Sequence, residues 1–262
     1  MSSRSSDVIA GVGLADRRRK SAWPARMDVA QSASGLLLGL FMWGHMAFVS
    51  SILISNDAMW RVTKAFEGYY FFGRAFPQLV SVVVSVVFVL FMAHAFLAMR
   101  KFPADYQQYR LFIGHKNLLK HSDTSLWWLQ VITGFLLFFL GPPHLVQMLL
   151  NPEGIGPYSS ADRVWSGMWW PLYLVLLFCV ELHGGVGLYR LVVKWGWFEG
   201  SDPDRSRVRL TRLKWAITAF FLILGLLTLA AYMKLGYQHR DRVGEEYVPT
   251  WAEPGAAPGV RR

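Results

Sequence analysis

The stretch WPLYLVLLFCVELHGGVGLYRLVVKWGWF, residues 170–198, decides the fold. Its first twenty residues contain one carboxylate, Glu181, one imidazole, His183, and no other ionisable side chain except those of Tyr173, Cys179 and Tyr189. A helix of about 20 apolar residues spans the hydrocarbon of a bilayer. Tryptophans at both ends and Arg190 and Lys194 at one end suit the two membrane–water interfaces. Working outward, the apolar block extends over Val164–Tyr189, and four more follow the same pattern: Gln31–Ile54, Pro77–Met99, Leu126–Leu150 and Trp215–Met233. Five such blocks in 262 residues predict an all-α membrane protein with five transmembrane helices. Only 17% of the residues are charged, against about 25% in soluble domains, which agrees with that class.

Charge gives the topology. The net charge is +10, but its distribution argues against nucleic acid as a partner. With the N-terminus placed in the cytoplasm, segments 1–26, 100–123 and 190–214 carry 18 Lys and Arg, and segments 55–76, 151–168 and 233–262 carry 9. Among the inter-helix loops alone the ratio is 12 to 4. This is the positive-inside bias, and it puts the C-terminus on the outer, periplasmic side. The domain reading is a cytoplasmic segment 1–25, a membrane domain 26–236 and a periplasmic tail 237–262. The basic inner face suits anionic lipid or a cytoplasmic protein partner. The polar start of the chain, with Arg17-Arg18-Arg19-Lys20, has no signal-peptide pattern. The single cysteine, Cys179, excludes a disulfide framework and an iron–sulfur cluster held by this chain alone; it reads as a packing residue.

Four histidines, His45, His94, His144 and His183, lie in four different apolar blocks. Ionisable groups within a span are rare and mark function. His45 lies roughly 25 Å along the first helix from its cytoplasmic start, and His144 roughly 30 Å along the third. His94 is seven residues before Lys101, and His183 eleven before Lys194, so both belong to the inner half. The depths pair His45 with His144 and His94 with His183. Two imidazoles facing across a bundle can hold one metal between them, and cofactor sites in bundles are built in this way. The expectation is therefore a four-helix bundle holding two haems with bis-histidine ligation, plus a fifth helix without a histidine. Gly44, Ala93, Ala95, Gly184 and Gly185 leave room beside the ligands, although small residues also serve ordinary helix packing. Gly184, Gly185 and Gly187 lie within a span and are not a phosphate loop. Candidate partners for haem propionates are Gln31, Ser32, Trp127 and Lys194 at the inner level and Arg163 at the outer level; snorkelling explains Lys194 and Arg163 equally well. His115, His121 and His239 fall in polar segments and read as surface residues, the first two as possible contacts for a partner. A proton or solute transporter using His and Glu is the rival from another class, but no internal repeat is visible. A haem-free anchor with histidines bonded between helices is a third reading.

The segments QSASGLLLGLFMWGHMAFVS (31–50), FMAHAFLAMRKFP (91–103), HSDTSLWWLQ (121–130) and the stretch 170–198 resemble the dihaem cytochrome b subunit of quinol:fumarate reductases with one membrane subunit. The resemblance covers about residues 25–235; the tails and Gly68–Phe76 carry it poorly. It implies two haem b groups, menaquinol as electron donor, a flavoprotein subunit carrying FAD and an iron–sulfur subunit as partners, and a bacterial inner-membrane location. A dimer of the whole complex is compatible with it. The reverse activity, succinate:menaquinone reduction, remains open, because direction depends on potentials and partners. The resemblance also assigns Glu67, after the first helix, as a proton acceptor near the quinol. Without it, Glu67 reads as a solvated loop carboxylate. Glu181 is the one carboxylate within any span, and burial disfavours its charged form. An electron moving inward across an energised membrane costs roughly 2.3 kcal/mol per 100 mV. A proton moving with it cancels that charge transfer, and Glu181 is placed to relay one.

Overall fold

The computed structural model describes residues 21–102, 105–119 and 122–252. Its helices are α1 (Trp23–Val49), α2 (Asn56–Phe66), α3 (Tyr69–Phe72), α4 (Gln78–Met99), α5 (Tyr106–Leu119), α6 (Ser122–Leu150), α7 (Pro157–Trp165), α8 (Trp170–Lys194) and α9 (Pro203–His239), with short 3₁₀ turns between some of them. No strand occurs among the described residues. The chain is an all-α membrane protein: α1, α4, α6, α8 and α9 are long and apolar enough to cross a bilayer. Helix α1 packs on α4, α4 on α6, α6 on α8, and α8 back on α1, which closes a ring of four. Helix α9 lies against α8 and α7 outside that ring.

The outer faces of the spans remain apolar. On α4, Val82, Val86, Val89 and Phe96 are exposed, as are Phe135 and Phe139 on α6 and Phe220, Ile223 and Leu227 on α9. In water such stripes would be a liability; against lipid they are the expected surface. Helix α6 continues through Pro142 and Pro143. Neighbouring helices can supply the bonds that membrane prolines free.

Several boundaries differ from the sequence expectation. The fourth span does not begin at Val164. Helix α7 ends at Trp165, Met168 takes a positive φ of 56°, and α8 starts at Trp170. The connection between the third and fourth spans, counted among the inter-helix loops from sequence, therefore contains a helix. The fifth helix extends well beyond Trp215–Met233 in both directions. Its start is capped by Asp202, whose side chain accepts from Arg205 N at 3.1 Å, with Pro203 in the first turn. His239, expected at the surface, is 1% exposed: its Nδ1 meets Asp162 Oδ1 at 2.8 Å and its ring stacks on Tyr158 at 4.1 Å. A polar stretch of sequence does not reveal that Tyr158 and Asp162, on α7, cover it. The expectations for His121 and for the side chain of His115 lie outside the described residues.

Two polar ties hold the ends of the bundle. At the inner end Asp28 on α1 meets Arg100 at 2.9 Å, Lys101 at 2.9 Å and Lys194 at 3.4 Å, joining α1, the end of α4 and α8. At the outer end the segment after α9 folds back over the bundle. Asp162 accepts from Gly244 N at 3.0 Å. Asp57, in the first turn of α2, accepts from Tyr247 Oη at 2.7 Å and from Thr250 Oγ1 at 2.6 Å and N at 3.1 Å. Trp251 packs edge-on against Trp60 beneath the Arg61 guanidinium.

Desolvation opposes ionisation of Asp57, but the bonds from Thr250 and Tyr247 outweigh it and hold its carboxyl below the usual range. A depressed folded value means the contribution is complete above the unfolded value of about 3.9 and fades as pH falls below it. The C-terminal strap is therefore expected to stay protected at neutral pH and in mild acid, and to become cleavable by an acid-active protease only below about pH 4. Asp57→Asn should expose it already at pH 7, as read by limited proteolysis and mass spectrometry. Equal protection in that variant would show that Asp57 does not hold the strap.

Candidate functional site

A cavity of about 1770 Å³ runs through the four-helix ring, bordered at its inner end by Gln31, Ser32, Trp127 and Lys194 and at its outer end by Arg163. Pockets for drug-sized ligands measure about 300–1,000 Å³, so this space accommodates more than one large group. All four span histidines border it. They meet in two pairs. The rings of His45 and His144 have centroids 6.1 Å apart, and those of His94 and His183 6.4 Å. Two imidazoles bound to opposite sides of one metal, at about 2 Å from each nitrogen, stand about 6 Å apart between ring centres. Both pairs have that spacing. Among the described residues no three of His, Cys, Asp and Glu gather into a cluster that could hold a metal by itself. An imidazole pair fits a metal whose other ligands come from a macrocycle, as in haem.

The surroundings orient the inner pair. His183 Nδ1 lies 2.9 Å from the backbone oxygen of Gln130. That oxygen can only accept, so Nδ1 carries the proton and Nε2 keeps its lone pair for a metal. His94 Nδ1 lies 3.0 Å from Ser34 Oγ. Both rings press against glycines of the neighbouring helix. A Cβ on Gly134 would come within 2.7 Å of His183 Cε1, and one on Gly35 within 2.9 Å of His94 Cε1. The glycines beside the ligands in sequence behave differently. Gly185 is buried against Thr218 of α9, and a Cβ on Gly44 would meet only Phe48, at 4.0 Å. At the outer pair, His144 Nδ1 is buried without a hydrogen-bond partner among the described residues, and its ring stands edge-on to Tyr173 at 5.4 Å.

Gln31, Ser32, Trp127, Lys194 and Arg163 all line the cavity. Lys194 Nζ donates to Ser32 Oγ at 3.2 Å as well as to Asp28. Arg163 borders the outer end of the cavity, and its guanidinium is held by Gly154 O at 2.6 Å, Tyr173 Oη at 3.1 Å and Ser160 Oγ at 3.2 Å. Glu67 follows the last residue of α2. It is 2% exposed and bound to Lys64 Nζ at 2.5 Å, while Thr63 and Phe66 beside it line the cavity. It is thus an interior residue and not a solvated loop carboxylate. Glu181 is 0% exposed, in mid-span on α8. The Trp43 indole lies beside it, and neither carboxyl oxygen meets full hydrogen-bond geometry among the described residues. Ser34, Gln130 and Tyr173 were missed from sequence. The available signal was a polar side chain within an apolar run, which alone does not tell a ligand's partner from a packing residue.

Residues 107–226 match the profile of the family described as succinate dehydrogenase/fumarate reductase transmembrane subunit. The chain is 55% identical over 229 residues to the fumarate reductase cytochrome b subunit of Wolinella succinogenes, covering 87% of this chain and 90% of that one. It is 50% identical over 236 residues to the protein of the same name from Helicobacter pylori strain J99, covering 90% and 91%.

The glycine contacts generate a paired prediction. Gly134→Ala drives a methyl group into the His183 ring, an overpacking expected to cost about 1–3 kcal/mol. The detergent-solubilised protein should then unfold several degrees lower in a thermal scan. Gly44→Ala, with open space around its Cβ, should unfold close to wild type. Equal midpoints for the two variants would contradict this placement of the His183 ring.

Proposed function

Since the chain belongs to the succinate dehydrogenase/fumarate reductase transmembrane subunit family, we propose that it is the cytochrome b membrane anchor of a quinol:fumarate reductase in a bacterial inner membrane. The observation that carries this reading is the two facing imidazole pairs at two levels of one cavity. His45 with His144 hold an outer haem b, and His94 with His183 an inner one. When bound, these groups supply one-electron redox chemistry between a quinol outside and an iron–sulfur centre inside.

The protein's own residues orient these groups and move protons. Ser34 and the Gln130 carbonyl fix the inner ligand rings. Gln31, Ser32, Trp127 and Lys194 offer donors to carboxylates at the inner level, and Arg163 does so at the outer level. Menaquinol loses two electrons and two protons on oxidation. Glu67, held by Lys64, is the carboxylate beside the outer end of the cavity that accepts a proton from the quinol hydroxyl. Glu181, wholly buried in mid-span, relays a proton inward so that no net charge crosses the membrane. An iron–sulfur subunit and a FAD-bearing flavoprotein dock at the basic cytoplasmic face, where fumarate is reduced. The N-terminus is cytoplasmic and the C-terminus periplasmic.

Haem stoichiometry tests the ligand assignment. Wild type should contain two haems b per chain by the pyridine haemochrome assay. His45→Ala or His144→Ala should leave one, and His94→Ala or His183→Ala should leave the other. Two haems retained in any of the four variants would remove that histidine from the ligand set. A second test addresses the relay. Glu181→Gln should abolish fumarate reduction by a menaquinol analogue and leave fumarate reduction by a viologen dye unchanged. Wild-type quinol activity in that variant would rule out Glu181 as the relay.

A further inference from the structure

Three residues on one face of α8 converge on Gln130 of α6. His183 donates from Nδ1 to the backbone oxygen of Gln130 at 2.9 Å. One turn on, Gly187 leaves the space that the Gln130 amide fills; a Cβ at 187 would come within 2.9 Å of Gln130 Nε2. At the next turn Arg190 Nη1 donates to Gln130 Oε1 at 2.8 Å. Positions i, i+4 and i+7 of a helix share a face, so a haem ligand, a glycine and an arginine form one binding edge. Gln130, His183, Gly187 and Arg190 all border the cavity.

We infer that Arg190 is a positioning residue for the inner haem: through Gln130 it fixes the His183 ring, and its charge holds that haem's potential up. This rests on the haem reading proposed above. Arginine does not lose its proton in proteins, so the charge is permanent. Seven residues separate Arg190 from His183, about 10 Å along the helix axis. Over that distance in bulk salt solution screening would be substantial, but beside a largely apolar cavity it is much weaker. A fixed positive charge favours the reduced, more electron-rich state of a nearby redox centre. The consequence is directional. An inner centre with a raised potential draws the electron from the outer side toward the cytoplasmic partner.

The test is a spectroscopic redox titration of the complete membrane-bound complex carrying Arg190→Gln or Arg190→Lys. In Arg190→Gln the midpoint of one haem, the one missing from His94→Ala, should fall while the other stays at its wild-type value. Arg190→Lys keeps the charge and loses the planar donor fork, so its inner midpoint should lie between wild type and Arg190→Gln. Two unchanged midpoints in Arg190→Gln would overturn the inference, as would an equal shift of both. If Arg190→Gln does not retain the inner haem, Gln130→Met decides. That variant cuts the tie and leaves the arginine, and a lowered or heterogeneous inner midpoint supports the inference where a wild-type titration overturns it. A wild-type complex without two haems would overturn the proposed function itself, and this inference with it.

Discussion

The expense of polar groups in hydrocarbon is the constraint on which the rest of the structure depends. Four imidazoles and a carboxyl group lie within the spans, and the bundle is arranged around them. The Nδ1 atoms of the inner pair are satisfied by Ser34 and by the Gln130 backbone. Under the proposed ligation, the Nε2 atoms of these two rings are the ones left for a metal. Close approach of helices depends on the same arrangement, because the His94 and His183 rings sit against glycine backbones where any larger residue would collide. Glu181, like His144 Nδ1, is buried outside full hydrogen-bond geometry among the described residues, and it is a carboxyl group in mid-span. Burial of that kind is hard to explain as structural support, and it gives the proton-relay proposal its physical basis.

The two ends of the bundle are built differently. At the inner end one aspartate, Asp28, ties three spans together through cations that remain partly exposed, and such ties are individually weak. A basic, lightly tied face is suited to receiving a partner. At the outer end α2, α7 and the strap after α9 form a small packed cap in which Ile52, Met59, Ala161, Val164 and Tyr232 share a core. Asp57 and Asp162 fasten the strap to it. That cap carries Arg163, and Glu67 directly follows α2, so the rigidity of the outer end bears on the geometry of the outer site.

Much of the architecture was legible because a bilayer imposes a length and a composition on each span. Depth from helix rise was enough to pair His45 with His144 and His94 with His183, and the structure brings those rings to 6.1 and 6.4 Å between centroids. What was not legible depended on contacts between elements. The break at Gly167-Met168 lies within a run that remains apolar, so hydropathy passed over it. The extension of α9 to Pro203 runs through a charged stretch that hydropathy excludes. His239 looked exposed because its neighbours in sequence are polar, whereas Tyr158 and Asp162 that bury it lie some eighty residues away. Gln130 gave no sign in sequence of holding a ligand with its backbone and an arginine with its side chain.

Low-temperature electron paramagnetic resonance of the oxidised, purified membrane subunit tests the central claim most directly. Iron held between two imidazoles is low-spin in the ferric state. The proposed ligation predicts two low-spin ferric signals of equal weight, one per histidine pair, with no high-spin component. A dominant high-spin signal, a single low-spin species per chain, or no haem signal from haem-replete cells would contradict it.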